Sequence, residues 1–222
     1  MTLELEVVAD AATAATRVAE IVAEEALAGV RERGAFSLAL SRARPELPAG
    51  LRTAPVPWET TRIYQVDERI APKGDPERNL TAIVAALPAG AFIQPMPVED
   101  ADLDRAADRY AAALPTQLDF VHLGLGADGH TASLVSGDAL LGVRDRLVAV
   151  TAEYAGSRRM TLTYQALNAA RKVVWLVTGR EKRDALTRLL AGDRSIPAAG
   201  VAAVRRLVVA DREAVPSDVP EA

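Results

Sequence analysis

The chain is 222 residues long, half apolar and a quarter charged, enough for one buried core and too little for several full domains. Twenty-six Lys and Arg against thirty Asp and Glu give a net charge of −4, so no basic excess exists to hold a nucleic-acid backbone, and no apolar run approaches the roughly 20 residues that span a bilayer. The absence of cysteine excludes disulfides, thiolate nucleophiles and Cys-ligated metals, and two histidines make a multi-His metal site unexpected. Catalysis would fall to His, carboxylate, hydroxyl, Lys or Arg. Met1–Asp10, with three acidic residues, does not read as a secretory leader. The expectation is a cytoplasmic protein with a small-molecule partner and neither nucleic acid nor membrane, a monomer or weak homo-oligomer.

Leu3–Val8 is predicted as an edge strand. Ala11–Arg33 is predicted as a helix, because Val18, Ile21, Val22, Ala26 and Val30 recur at helical spacing, and Gly34 ends it. Ala35–Leu40 reads as a buried strand, followed by a long, proline-rich irregular stretch, Ser41–Thr61, of the length that is either functional or disordered. Strands are expected at Arg62–Val66, Leu118–Leu125, Leu147–Thr151, Val173–Thr178 and Arg206–Ala210, and helices at Pro76–Leu87, Asp100–Leu114, Tyr164–Ala170 and Glu181–Ala191. Val215–Ala222 reads as a frayed tail. This alternation, with few aromatic residues, predicts a single-domain α/β fold of Rossmann-like type. Its sheet would be mostly parallel with helices on both faces, and its working loops would lie at the carboxyl ends of the strands.

The sharpest local signal is Asp119–Ser133, a strand running into a glycine-rich turn and, on this reading, a helix start. Gly124, Gly126 and Gly129 satisfy G-x-G-x-x-G, but a dinucleotide-binding helix continues for several turns and Gly137 interrupts this one early. What is left is an anion site of glycine backbone and helix amino end. His130 lies in this turn beside Thr131 and Ser133. It is either a helix-capping residue or a general base for water, and the flanking glycines favour the base. His122, inside the apolar strand, reads as a buried, hydrogen-bonded structural histidine.

Asp67-Glu68-Arg69 leaves a strand as three consecutive charges. That is either a solvated turn or a ligand-binding rim at which Asp67 orients a base and Arg69 clamps an anion. In Arg158–Thr163, alternation places Arg159, Thr161 and Thr163 on one side of an extended segment, and Lys182 follows Gly179 after another apolar strand. Basic groups after successive strand ends point to an anionic substrate.

Taken together, several segments resemble the 6-phosphogluconolactonase family, within the wider group that includes glucosamine-6-phosphate deaminase. They are Trp58 with Val66-Asp67-Glu68-Arg69, Asn79, Leu123–Leu134, Arg159–Thr163 with Leu167-Asn168, Thr178-Gly179 before Lys182, Ile196-Pro197-Ala198 and Asp211. The deaminase branch continues Ile-Ala-Phe-Asn after Gly-His, whereas this chain reads Thr131-Ala132-Ser133-Leu134. The resemblance implies hydrolysis of the δ-lactone of 6-phosphogluconate in the pentose phosphate pathway, with no metal or organic cofactor. It implies His130 as the base and later the proton donor, and Asp67 beside the reacting centre. Arg69, Lys182 and Arg159 would hold phosphate and sugar hydroxyls, with Gly126 and Gly129 lining the turn.

One segment departs from the family pattern. Where the family carries Ser-Gly-Gly-Ser/Arg-Thr-Pro, a glycine loop that presents backbone N–H groups to phosphate, this chain has Ser41-Arg42-Ala43-Arg44-Pro45. Three explanations stand. Arg42 and Arg44 replace backbone donors with guanidinium groups, leaving Ser41 and Arg44 as substrate-binding candidates. Alternatively the protein is a degenerate, non-catalytic sugar-phosphate-binding homologue. Finally, codons for Gly-Ser-Thr-Pro read one base out of frame give Ala-Arg-Pro, a local compensated frameshift.

Overall fold

The computed structural model describes residues 2–42 and 46–216, so Arg44 and most of the tail lie outside the described residues. The strands are β1 (Leu3–Val8), β2 (Phe36–Leu40), β3 (Thr61–Gln65), β4 (Asp67–Arg69), β5 (Phe92–Gln94), β6 (Phe120–Gly124), β7 (Val148–Val150), β8 (Arg159–Leu162), β9 (Lys172–Val177) and β10 (Arg205–Asp211). The helices are α1 (Ala11–Arg33), α2 (Glu46–Thr53), α3 (Asn79–Ala86), α4 (Leu103–Ala113), α5 (Tyr164–Ala169) and α6 (Arg183–Leu190).

Seven strands form one sheet in the order β1-β10-β9-β6-β2-β3-β5, with every pairing parallel. A parallel sheet buries both faces, and the strands show it by feeding two cores in alternation. Val173, Trp175 and Val177 of β9 face one core, while Val174 and Leu176 face the other. The first core takes α4, α5 and α6; the second takes α1, α2 and α3. From β2 the chain runs outward to β3 and β5, then returns to β6 on the other side of β2 and continues to β9 and β10. The reversal between β2 and β6 opens a crevice at the carboxyl ends of the strands, the place where such folds bind ligands.

The expected single-domain α/β architecture is the observed one, with an unexpected edge strand at β5 and these further differences. Val148–Val150 does not join the main sheet but pairs with β8, which pairs with β4, in a small antiparallel sheet. Asp67–Arg69 is a strand rather than a solvated turn, because Asp67 and Glu68 are buried and partnered. Part of the irregular stretch is helix α2, whose proline, Pro48, sits in the first turn where no intrahelical N–H is needed.

Glu68 explains where α3 begins. Arg78, at that helix's N-cap, makes no side-chain capping bond. Instead the Glu68 carboxylate reaches across from β4 and accepts from the backbone N–H groups of Asn79 (2.7 Å) and Leu80 (2.9 Å). It also accepts from the N–H of Arg69 (2.8 Å), Gln65 Nε2 (2.9 Å) and Arg78 Nε (3.3 Å). A buried carboxylate needs this many donors, and a helix amino end supplies two of them with a favourable dipole. Glu68→Ala is expected to cost about 3–5 kcal/mol of folding stability by orphaning these donors and the buried Arg78, read as a lowered urea midpoint.

Candidate active site

The turn after β6 is built to carry His130. Gly126 N donates to His130 O (2.8 Å) and Gly129 N to Gly126 O (2.9 Å), folding the backbone onto itself. A Cβ on Gly126 would stand 2.1 Å from His130 Nδ1, and one on Gly129, at φ +85°, 2.5 Å from Ile196 Cβ. These glycines make room for the imidazole and a neighbouring loop and do not line the cavity themselves. Thr131 anchors the turn: its hydroxyl donates to Gly124 O (2.8 Å) and accepts from the Trp175 indole N–H (3.2 Å). The expected helix start is absent here. Ala132 (φ 52°) and Gly137 (φ 84°) are left-handed, and the segment closes as a Thr131–Leu134 bridge and a short 3-10 turn, so no α-helix begins in this turn.

A cavity of about 280 Å³ lies in the crevice, its wall including Asp67, Arg69, His130, Ser133, Tyr154 and Arg159, together with Arg42 and Asn79. His130 Nδ1 is 2.6 Å from Asp128 Oδ1, and Tyr154 Oη donates to Asp128 Oδ2 (3.1 Å). Partial burial pushes Asp128 up, but the His130 amide, the imidazole and the Tyr154 hydroxyl outweigh it and hold the carboxyl below its ordinary value. An ionised Asp128 fixes the proton on Nδ1 and leaves Nε2 as the basic nitrogen.

Asp67 is buried, accepting from Ser133 Oγ (2.7 Å) and Ser41 Oγ (3.3 Å). Burial raises its pKa, opposed by Ser133 and reinforced by the adjacent Glu68. Arg159 is buried too, its Nη1 donating to Tyr154 O (2.9 Å) and its guanidinium 5.3 Å from the Tyr154 ring centroid. Burial and the nearby Arg69 charge lower its pKa. Arg69 pairs with Glu77 (3.0 Å), which also lies 3.7 Å from Arg42. Three guanidinium groups thus share one wall, an arrangement suited to an anion.

The structure therefore brings together His130, Asp67, Arg69 and Arg159, with Ser41 behind Asp67. Lys182 is not on the cavity wall; it ends a 3-10 turn after β9. His122 is buried as expected but not hydrogen-bonded: among the described residues neither ring nitrogen has a partner, and burial pushes its pKa down to about 4. It sits mid-strand between β2 and β9, where neighbouring backbone groups are already paired. Asp128 and Tyr154 escaped the sequence reading. The Asp128-Gly129-His130 spacing carries the first, since a two-residue separation across a left-handed glycine lets the side chains meet. No local pattern marks Tyr154. Among the described residues no three His, Asp or Glu side chains gather as a cation site, and no helix is long and apolar enough to cross a membrane.

The sequence profile described as glucosamine-6-phosphate isomerases/6-phosphogluconolactonase matches residues 9–209. The chain belongs to this family. It is similar to the 6-phosphogluconolactonase of Synechocystis sp., 35% identical over 180 residues that cover 73% of this chain and 74% of that protein. It is also similar to that of Nostoc sp., 32% identical over 205 residues, 84% and 85% respectively. The structure of 6-phosphogluconolactonase from Thermotoga maritima shares the family fold at a TM-score of 0.82 and 24% identity, over 95% of this chain and 99% of that one.

Asp67 gives this family member a testable pH signature. Its raised native pKa means that the folded protein keeps a proton the unfolded chain has released above about 3.8. The contribution of Asp67 to folding stability is therefore fully present below that value and is lost as pH rises through the native pKa. Asp67→Asn, which cannot ionise, is expected to be more stable than the parent at neutral pH, with the gain vanishing near pH 3, as measured by urea midpoints across the range.

Proposed function

We propose that the protein hydrolyses 6-phospho-D-glucono-1,5-lactone to 6-phosphogluconate, the ring-opening step of the oxidative pentose phosphate pathway, with His130 as the catalytic base. The observation that carries this reading is the Asp128–His130 pair facing three guanidinium groups and a buried carboxylate across one cavity. His130 Nε2 takes a proton from water, and the hydroxide oxygen bonds to the lactone carbonyl carbon. The tetrahedral oxyanion then collapses, the bond from that carbon to the ring oxygen breaks, and the imidazolium returns its proton to the leaving oxygen. The carboxylic acid so formed loses its proton to solvent. Arg42, Arg69 and Arg159 supply the positive field for the phosphate and the oxyanion. Asp67, held by Ser41 and Ser133, faces the reacting centre and orients substrate hydroxyls.

Arg42 lines the cavity, which supports a guanidinium standing in for the backbone donors of the missing glycine loop. Lys182 does not line this cavity. The dyad would be idle in a protein that only binds sugar phosphates, so hydrolysis is the better reading. The substrate is a small molecule, and a cytoplasmic site of action fits it.

Lactone opening followed against its spontaneous background tests this directly. The parent chain is expected to accelerate it, and His130→Ala to lower kcat by about 10²–10⁴-fold. Gly126→Ala, whose methyl group would displace the imidazole, should lose about 10²-fold. A parent chain that binds 6-phosphogluconate without accelerating hydrolysis would restore the binding-protein reading.

A further inference from the structure

Tyr154 has no role in the reaction as drawn, yet it touches both halves of the site. It lies on the loop from β7 to β8, where Tyr154 and Ser157 pair backbone to backbone (3.1 and 3.3 Å) around Ala155 at φ 49° and Gly156 at φ 74°. An alanine in the left-handed region is uncommon, and such residues persist where the surroundings hold them. Here the turn sets the phenol against the dyad. The hydroxyl donates to Asp128 Oδ2, and the ring stands edge-on to the His130 imidazole with centroids 6.0 Å apart. On its other side the ring lies under the Arg159 guanidinium, and the Tyr154 carbonyl accepts from Arg159 Nη1.

We propose that Tyr154 is a positioning residue that couples base to anion site: its hydroxyl moderates the pull of Asp128 on the His130 imidazolium, while its ring holds Arg159 toward the anionic part of the substrate. The inference rests on the lactonase reading for its kinetic consequences and on geometry alone for the Asp128 contact. A donor on Oδ2 shares the carboxylate charge, so removing it leaves more of that charge for the imidazolium and keeps His130 protonated to higher pH. Besides Asp128 and Tyr154, the titratable and charged groups around His130 in the cavity are, among the described residues, Asp67, Arg42, Arg69 and Arg159, with Glu77 on two of the arginines. Tyr154→Phe alters the charge of none of them. Burial and Asp128 both raise the phenol's own pKa, so the hydroxyl stays protonated at neutral pH.

The test uses the full chain as Tyr154→Phe and Tyr154→Ala, with the His130 ring resonance assigned by its loss in His130→Asn. In Tyr154→Phe the midpoint of that resonance is expected to move up by about half a pH unit. The acid limb of kcat/KM should follow it, with KM within about twofold of the parent. Tyr154→Ala should show the same shift and, because Arg159 loses its ring, a KM raised about threefold. A His130 midpoint unmoved in Tyr154→Phe overturns the Asp128 tie, and an unchanged KM in Tyr154→Ala overturns the Arg159 tie. Should Tyr154→Ala fail to fold, Tyr154→Leu, which keeps an apolar side chain without a ring, takes its place in judging the Arg159 tie by the same rise in KM. The titration needs no turnover, so a parent chain without lactonase activity refutes the proposed reaction while the resonance still judges Tyr154.

Discussion

Two neighbouring carboxylates are removed from water on the shortest kind of strand, and much of the molecule is arranged to make that tolerable. A buried carboxylate without donors is among the most costly groups a fold can hold. Asp67 and Glu68 point to opposite sides of β4, as consecutive strand residues must, so each draws donors from a different quarter. Glu68 is satisfied by the amino end of α3, by Gln65 and by Arg78. Asp67 is satisfied by two serines delivered from the ends of β2 and of the turn after β6. One charge thereby decides where a helix starts, and the other decides which loops meet at the crevice.

The same division of labour separates stability from chemistry. Glu68 is held in a dense set of donors and is not part of the cavity wall, whereas Asp67, with two hydroxyl partners among the described residues, lines it. Its raised pKa is the mark of a carboxylate less fully compensated than its neighbour is by geometry. Groups left in that condition concentrate where a substrate completes the arrangement. Asp128, by contrast, is tied to His130 and Tyr154 and kept ionised, which suits a group whose task is to orient an imidazole.

How far the sequence could be read follows from the physics of each segment. The parallel strands were legible because burial on both faces leaves continuous apolar runs such as Val173–Val177, and α1 because its apolar positions repeat at helical spacing and Asp10 and Gly34 cap its ends. His130, Asp67, Arg69 and Arg159 stood out as polar residues at strand ends, where an α/β sheet presents them. β4 was ambiguous because three charges in a row signal solvent unless their donors are known, and Glu68 draws donors from 10 to 12 residues away and Asp67 from 26 and 66. The turn after β6 imitates a helix start in sequence, but the left-handed Ala132 that breaks it has no signature in residue type. Tyr154 meets Asp128 across 26 residues of chain, a contact that only tertiary structure creates. That neither ring nitrogen of His122 has a partner among the described residues is equally invisible, since the strand pattern specifies burial without naming what surrounds the side chain.

Val66 joins the two sheets with its own peptide groups: its N–H donates to Leu40 O on the main sheet (2.9 Å) and its carbonyl accepts from Leu162 N on the small one (2.8 Å). The imidazole rides on the main sheet and the Asp67, Arg69 and Arg159 group on the small one, so the cavity is a seam between two plates, stitched by the Val66 peptide groups and by the Ser41 and Ser133 hydroxyls on Asp67. Its gape is accordingly set by main-chain geometry and those two hydroxyls together. Replacing the arginines along the seam can change what the mouth prefers to hold while that stitching stays in place.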